Sequence, residues 1–255
     1  MPAQSAPDIC RVLGVSFFNG SMEEAIKRCR DGGLVVIPSG PGLACDLPND
    51  QVYLESVQSA DLALPDSGLM SLWWFCFRLE RINRISGYAF LKAMLEQENF
   101  DQGASFWVMP DESQSEANRR WLKEDMSIDL EPEDIYVAPI YDRQGPLSDP
   151  VLLKSLKDRQ PSYIFVNLGS GVQERLGLYL KDNLPHNPSI IGSGAALAFL
   201  SGQQVFIPMW ADKLFLGWLF RCLANPRRFI PRYLRAWKLV WLLFRHGREC
   251  PSTIT

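Results

Sequence analysis

Apolar positions along the chain change period repeatedly, and each change marks an element. Leu34 to Ile37 is continuously apolar and closed by Pro38, the pattern of a buried strand. Ahead of it, RVLGVSFFNG (11–20) reads as one short strand ending in a turn. SMEEAIKRCRDGG then reads as a helix, with Ser21 as N-cap, Glu23 and Glu24 in the first turn and Gly32-Gly33 as the stop. The same signals predict helices in NDQVYLESVQSAD, GLMSLWWFCFRLE, GYAFLKAMLEQ, SQSEANRRWLKEDM, PVLLKSLKDRQP and VQERLGLYLKDNLP. Strands are predicted in LALPDSG, ASFWVMP, DIYVAPIYD and PSYIFVNLGSG, and NPSIIGSGAALAFLSG supplies a last strand and a tight loop. Strands separated by helices of about 10–15 residues imply βαβ units. The expected class is therefore α/β, with a mainly parallel sheet and flanking helices.

Near Pro208 the composition shifts. RRFIPRYLRAWKLVWLLFRHGR (227–248) interleaves arginines and tryptophans with aliphatics, in a chain whose net charge is -3. Residues 211–248 hold nine Lys/Arg against one acid, Asp212, leaving 17 Lys/Arg and 28 Asp/Glu elsewhere. Such asymmetry speaks of partners rather than of fold. We expect an α/β domain over 8–207 and a basic, Trp-rich helical appendage over 208–248. With Pro231 in the first turn of its helix, Tyr233, Ala236, Trp237, Val240, Trp241, Leu243 and Phe244 share one apolar arc, outside which Arg232, Arg235, Lys238 and Arg245 fall. The arc could pack on the core, but an anionic membrane surface suits this mixture better, since Trp settles at headgroup depth and cations meet acidic lipid. The upstream stretch PMWADKLFLGWLFRCLAN is expected to pack partly on the core. Nucleic acid is disfavoured by the acidic remainder of the chain.

The uninterrupted apolar run Leu239–Phe244 is far short of the roughly 18–20 residues that span a bilayer. The first 25 residues lack a basic stretch followed by an apolar one, so no secretory signal is expected. Six cysteines without CxxC spacing and two histidines, His186 and His246, point to reduced thiols in a cytosolic protein rather than to zinc or disulfides. Met1–Pro7 and Glu249–Thr255 read as loose tails.

Ligands of open parallel sheets bind at the carboxyl ends of strands. Four loops meet that rule: PSGP (38–41), PDSG (65–68), NLGSGVQE (167–174) and GSGAA (192–196). Two are glycine-rich and can turn backbone N–H groups toward a phosphate, or can simply be tight turns. A dinucleotide oxidoreductase is disfavoured, because the first βα turn lacks its glycines and acidic partner.

At these loops the chain resembles the WecG/TagA/CpsF family of bacterial glycosyltransferases. The resemblance rests on GVSFFNGSMEEAI, SADLALPDSG, RISG (84–87), YIFVNLGSGVQE, SIIGSGAALAFLSG and GWLFRCLANPRRFIPRYL, which occur in the family's order over roughly 11–244. It implies a Rossmann-like fold and an inverting transfer of a sugar from a UDP-sugar to a polyprenyl-diphosphate-linked saccharide. The enzyme would be a hexosyl- or N-acetylhexosaminyltransferase, peripheral on the cytoplasmic membrane face and serving envelope polysaccharide synthesis. The resemblance also implies Asp66 as catalytic base, against the alternative that it caps the next helix. Arg84 would contact a phosphate, or would be a solvated residue of the basic loop RINR; Gly169, Ser170, Gln173 and Glu174 would bind the nucleotide sugar, or Glu174 would cap its helix. Ser39, Gly192 and Gly194 would complete the substrate pocket. Arg221, Arg227, Arg228, Arg232, Arg235, Trp237 and Trp241 would meet the acceptor diphosphate or the membrane.

The chain departs from the family pattern at three places. Ile37-Pro38-Ser39 stands for a Thr-x-Asn element, Leu197-Ala198 for a Phe-Asp pair, and Met109-Pro110 for Gly-Gly. These departures leave the donor sugar open and make a non-catalytic sugar-nucleotide-binding or scaffold protein of an envelope assembly complex the rival expectation. The nearest approach to a DxD motif is Asp129-Leu130-Glu131, in an acidic surface-like segment. No metal and no cofactor are therefore expected, and diphosphate charge is left to arginines and backbone N–H groups. The oligomeric state, homo-oligomer included, is open.

Overall fold

The computed structural model describes residues 8–97, 100–204, 208–213 and 216–251; the side chains of Met209, Lys213 and Arg228 lie outside that description. The elements run β1 (Ile9–Val12), β2 (Val15–Phe18), α1 (Met22–Cys29), β3 (Gly33–Val36), a π-helical turn (Gly42–Asp46), α2 (Gln51–Gln58), β4 (Leu62–Ala63), α3 (Gly68–Arg78) and α4 (Gly87–Leu95). After them come β5 (Ser105–Met109), α5 (Glu112–Met126), β6 (Ile135–Val137), α6 (Pro150–Arg159), β7 (Tyr163–Val166), α7 (Val172–Asn183), β8 (Ser189–Gly192) and α8 (Ala196–Leu200). The C-terminal part holds α9 (Met209–Lys213), α10 (Gly217–Ala224), α11 (Pro226–Ala236) and α12 (Lys238–His246).

The eight strands form one sheet in the order β1-β2-β4-β3-β8-β7-β5-β6, parallel except for the β1–β2 pair. This is the Rossmann-like α/β class. Alternate residues divide between two cores. Leu34, Val36, Val108, Val166 and Ile190 face α2, α3, α7 and α12, while Val35, Trp107, Met109, Phe165 and Ile191 face α1, α4, α5 and α8. The order reverses where β3 meets β8, with Val35 opposite Ile191 and, one strand over, Val166 opposite Gly192. The carboxyl ends of β4, β3, β8 and β7 thus stand side by side, and a ligand crevice is expected at such a reversal.

Local structure differs from the sequence expectation in several places. RVLGVSFFNG is a hairpin rather than one strand, because Leu13 (φ 51°) and Gly14 (φ 79°) make a two-residue turn of the type that suits right-twisted strands. A short helix, α8, follows the GSG loop. The tail is not one helix with a single apolar arc. Pro226, not Pro231, opens α11, Pro231 lies inside it, and the chain breaks at Trp237. Leu239, Leu242 and Leu243 then enter the main core, while Trp237, Trp241 and Phe244 stay exposed. The segment expected to lie on a membrane is therefore partly core. Upstream, packing is slight: Ala211 and the half-buried Phe220 rest on Phe199, and α10 buries no residue. The end of the chain is not loose up to Pro251 either. Leu13 and Gly14 N–H groups donate to the Gly247 and Arg248 carbonyls at 2.9 and 3.0 Å, and Pro251 is buried.

Candidate active site

A cavity of about 990 Å³ opens at the reversal point, walled by all four strand-end loops and roofed by α10 and α11. Ser39, Asp66, Arg84, Gly169, Ser170, Gln173, Gly192 and Gly194 all line it. From the tail come Arg221, Arg232 and Trp237. Arg227, Arg235 and Trp241 are exposed and do not line it, and the side chain of Arg228 lies outside the described residues.

Asp66 follows the two-residue strand β4, and its neighbour Ser67 is the N-cap of α3, accepting from the Met70 N–H at 3.3 Å. The capping alternative for Asp66 is thereby corrected at α3. Its Oδ1 instead receives the Gly87 N–H of α4 at 3.3 Å and the Arg84 Nη2 at 3.4 Å. Arg84 also donates its Nε to the Asp66 carbonyl at 2.7 Å. Its other face is held by Asp212 of α9: Nη2 donates to Oδ1 at 2.9 Å and Nη1 to the carbonyl at 2.8 Å, while Ser86 Oγ donates to Oδ2 at 2.6 Å. Burial raises the Asp66 carboxyl above its ordinary value; Arg84 and Arg221 oppose the shift and Asp212 adds to it. Asp212, the lone acid of the basic tail, is the site neighbour that residue-by-residue reading missed. Its isolation among nine cations was the available signal.

On the opposite wall, Gly171 (φ 89°) turns the chain from β7 into α7. Gln173 points into the cavity with its Oε1 buried and without a partner among the described residues, and a Cβ on Gly194 would come within 3.2 Å of that atom. Ser170 Oγ and Tyr53 Oη, both buried, lie together at Gly42 and beside Asp46. Behind the loop, fully buried Arg175 donates to the Gly171, Gly145 and Asp142 carbonyls at 2.9, 2.6 and 2.7 Å. It fixes the loop from the far side, a role with no signal at sequence level.

Glu174 does not line the cavity. Its Oε2 accepts the Gly171 N–H at 2.7 Å and its Oε1 the Gln173 Nε2 at 3.0 Å, so the helix-capping alternative describes it. Burial pushes its carboxyl up to about 7, against those two hydrogen bonds. Nearby Asp46 is pushed up to about 6, again by burial first, opposed by Arg232. A carboxyl raised in the folded state stabilises the fold most below its unfolded value of about 4.5 and loses that contribution as pH rises through about 7. The melting midpoint is expected to fall between pH 5 and 8, and Glu174→Gln to flatten that fall in thermal unfolding followed across the range.

Arginines surround the cavity on the tail side. Arg221 lies over the Phe199 ring at 4.3 Å, donates to Tyr233 Oη at 3.3 Å, and keeps a buried Nε without a partner among the described residues. Among the described residues no group of three or more His, Cys, Asp and Glu is gathered as a metal site. The site thus joins the partly buried Asp66 carboxylate, its neighbour Asp212, fixed cations and glycine loops, a set suited to deprotonating a hydroxyl beside a multiply charged leaving group.

The glycosyl transferase WecG/TagA/CpsF family model matches residues 10–251. The chain belongs to this family. It is 28% identical over 209 residues to an N-acetylglucosaminyldiphosphoundecaprenol N-acetyl-beta-D-mannosaminyltransferase of Bacillus subtilis (strain 168), covering 79% of this chain and 77% of that protein. A protein of the same name from Staphylococcus aureus (strain NCTC 8325 / PS 47) is 22% identical over 228 residues, covering 85% of each. The departures from the family pattern fall in two environments. Leu197 and Ala198 are buried and Met109 is a core residue, whereas Ser39 and Pro110 line the cavity. Among the described residues no helix is long and apolar enough to cross a membrane.

Proposed function

We propose that this chain is an inverting glycosyltransferase that moves a sugar from a UDP-sugar to a polyprenyl-diphosphate-linked saccharide, acting peripherally on the cytoplasmic face of the membrane in envelope polysaccharide synthesis. The observation that carries the reading is the position of Asp66: one partly buried carboxylate, 28% exposed, at a strand end that opens into the cavity opposite Gln173. The acceptor hydroxyl attacks the anomeric carbon as Asp66 takes its proton; the bond to UDP breaks on the opposite face, and the departing diphosphate needs cations rather than a proton. Arg84, Arg221 and Arg232 supply them, while Ser39, Gly169, Ser170, Gln173, Gly192 and Gly194 hold the donor. Residues 8–207 act as the catalytic unit, with 208–248 as the covering and membrane-associating appendage.

The names of both relatives specify a β-linked N-acetylmannosaminyl product on a diphosphoundecaprenol acceptor. Inversion of an α-linked sugar nucleotide produces that linkage. UDP release is the test, with a panel of UDP-sugars as donors and a lipid-linked N-acetylglucosamine diphosphate as acceptor. Turnover with one donor supports the reading. Donor binding without UDP release for any of them sinks it in favour of a non-catalytic scaffold.

Asp212 should adjust the working pH of the site, which burial of Asp66 sets first. Its charge raises the Asp66 carboxyl, so Asp212→Asn is expected to shift the acid limb of the kcat/KM profile to lower pH. An unmoved limb in a pH–rate series would remove Asp212 from this role.

A further inference from the structure

α3 begins in the cavity and ends beyond the body of the protein. Gly68 and Leu69 line the cavity, and Met70, Ser71, Trp73 and Trp74 are buried. Past Trp74 the helix loses its cover, and every residue from Phe75 to Arg81 is exposed. In water such a stretch would be polar, yet it reads FCFRLER: Phe75 is 56% exposed, Phe77 58% and Leu79 85%. Leu79 closes the helix in the left-handed conformation (φ 55°) with its side chain outward. Leu72, 54% exposed, shares one side of the helix with Phe75, about 60° away around the axis, while Phe77 lies about 160° from Phe75 and packs on Trp73 and Phe244.

The charges agree with lipid. Arg78 and Arg81 are exposed at the tip, and Arg78 lies 5.8 Å from the Trp74 ring, the pose of a long cation lying along an apolar stem. The acid there, Glu80, is engaged by Arg248 at 2.6 Å and by the Trp74 Nε1 at 3.1 Å. Phe77 meets Phe244 of α12 at 4.8 Å, and next to Phe244 stands exposed Arg245, 5.1 Å over the exposed Trp241 ring. The tip is therefore continuous with the Trp- and Arg-bearing face of the tail.

We propose that the end of α3, Phe75 to Leu79, is a lipid-inserting tip that enters the headgroup region of an anionic membrane, with Arg78, Arg81 and Arg245 at its phosphates. This assigns membrane contact to an element separate from the C-terminal appendage, and it rests on the peripheral placement proposed above. It also gives α3 a second task. Its 11 residues span about 16 Å, so the helix that follows Asp66 holds the cavity one helix length from the lipid surface. An acceptor whose lipid stays in the membrane has to present its saccharide at that height.

The test is flotation of the full chain with vesicles of phosphatidylcholine alone and of phosphatidylcholine with phosphatidylglycerol. Phe75→Ser/Leu79→Ser alters two exposed side chains, so its melting midpoint should match wild type. The lipid concentration for half-binding to anionic vesicles is expected to rise about ten-fold or more. An environment-sensitive fluorophore on exposed Cys76 should shift to the blue on those vesicles. No sugar donor is involved, so Asp66→Asn should insert as wild type does even if the proposed catalysis fails. Unchanged vesicle binding in the double variant overturns the proposal. So does a Cys76 probe that stays aqueous on floated protein, which leaves attachment to the tail alone, or a change in self-association without a change in flotation, which makes the tip a contact between copies.

Discussion

Asp66→Asn is expected to lower kcat by about 10²–10⁴-fold while leaving the melting midpoint and UDP affinity close to wild type. The carboxamide oxygen can still accept from the Gly87 N–H and the Arg84 Nη2, the two contacts that Oδ1 makes. What it cannot do is take a proton. The rate of UDP release from the donor measures the loss, and isothermal titration with UDP separates it from donor binding. Near-wild-type turnover would end the assignment of Asp66 as base. In the wild-type chain, burial raises the carboxyl, so Asp66 stays protonated to a higher pH than an exposed aspartate. The acid limb should accordingly lie above the ordinary aspartate value, and it should vanish in the variant.

Leu243→Ala is expected to destabilise the protein by about 2–5 kcal/mol, measured by denaturant unfolding. Leu239 and Leu243 are fully buried in the same cluster as Trp73 and Trp74. Trp241→Ala, on the exposed side of the same helix, should change stability by no more than about 0.5 kcal/mol. A tail that only rested on lipid would show no difference between the two. The pair also bears on how attachment should be probed. Truncation after Pro208 would uncover the core under α12, so loss of vesicle binding by that product would report unfolding as readily as loss of a membrane anchor.

Much of the fold was legible because its signals are local. The continuous apolar run at Leu34 to Ile37, the cap at Ser21 and the glycine loops mark elements without reference to the rest of the chain. The four loops gathered in one cavity because parallel strands align their carboxyl ends, and that much follows from alternation of strand and helix alone. The misreadings share a different origin. Helical periodicity cannot say which side of an amphipathic segment meets protein and which meets something else, so Leu239 and Leu243 were grouped with a membrane face or left off it. Gln173 and Glu174 are adjacent in sequence, yet one faces the cavity and the other turns back to cap Gly171. Asp212 and Arg84 are 128 residues apart, and their pairing depends wholly on how the tail folds back.

That fold-back has a mechanical consequence. The segment over the cavity is fastened at both ends: α8 is embedded against α4 and α5, and the far end is bonded to the β1–β2 turn and to Glu80. Between these fastenings α10 buries nothing. A cover built this way is a strap rather than a hinged door, pinned along its length where Asp212 holds Arg84 and Ser86, so cutting any one fastening is expected to slacken the roof without releasing it.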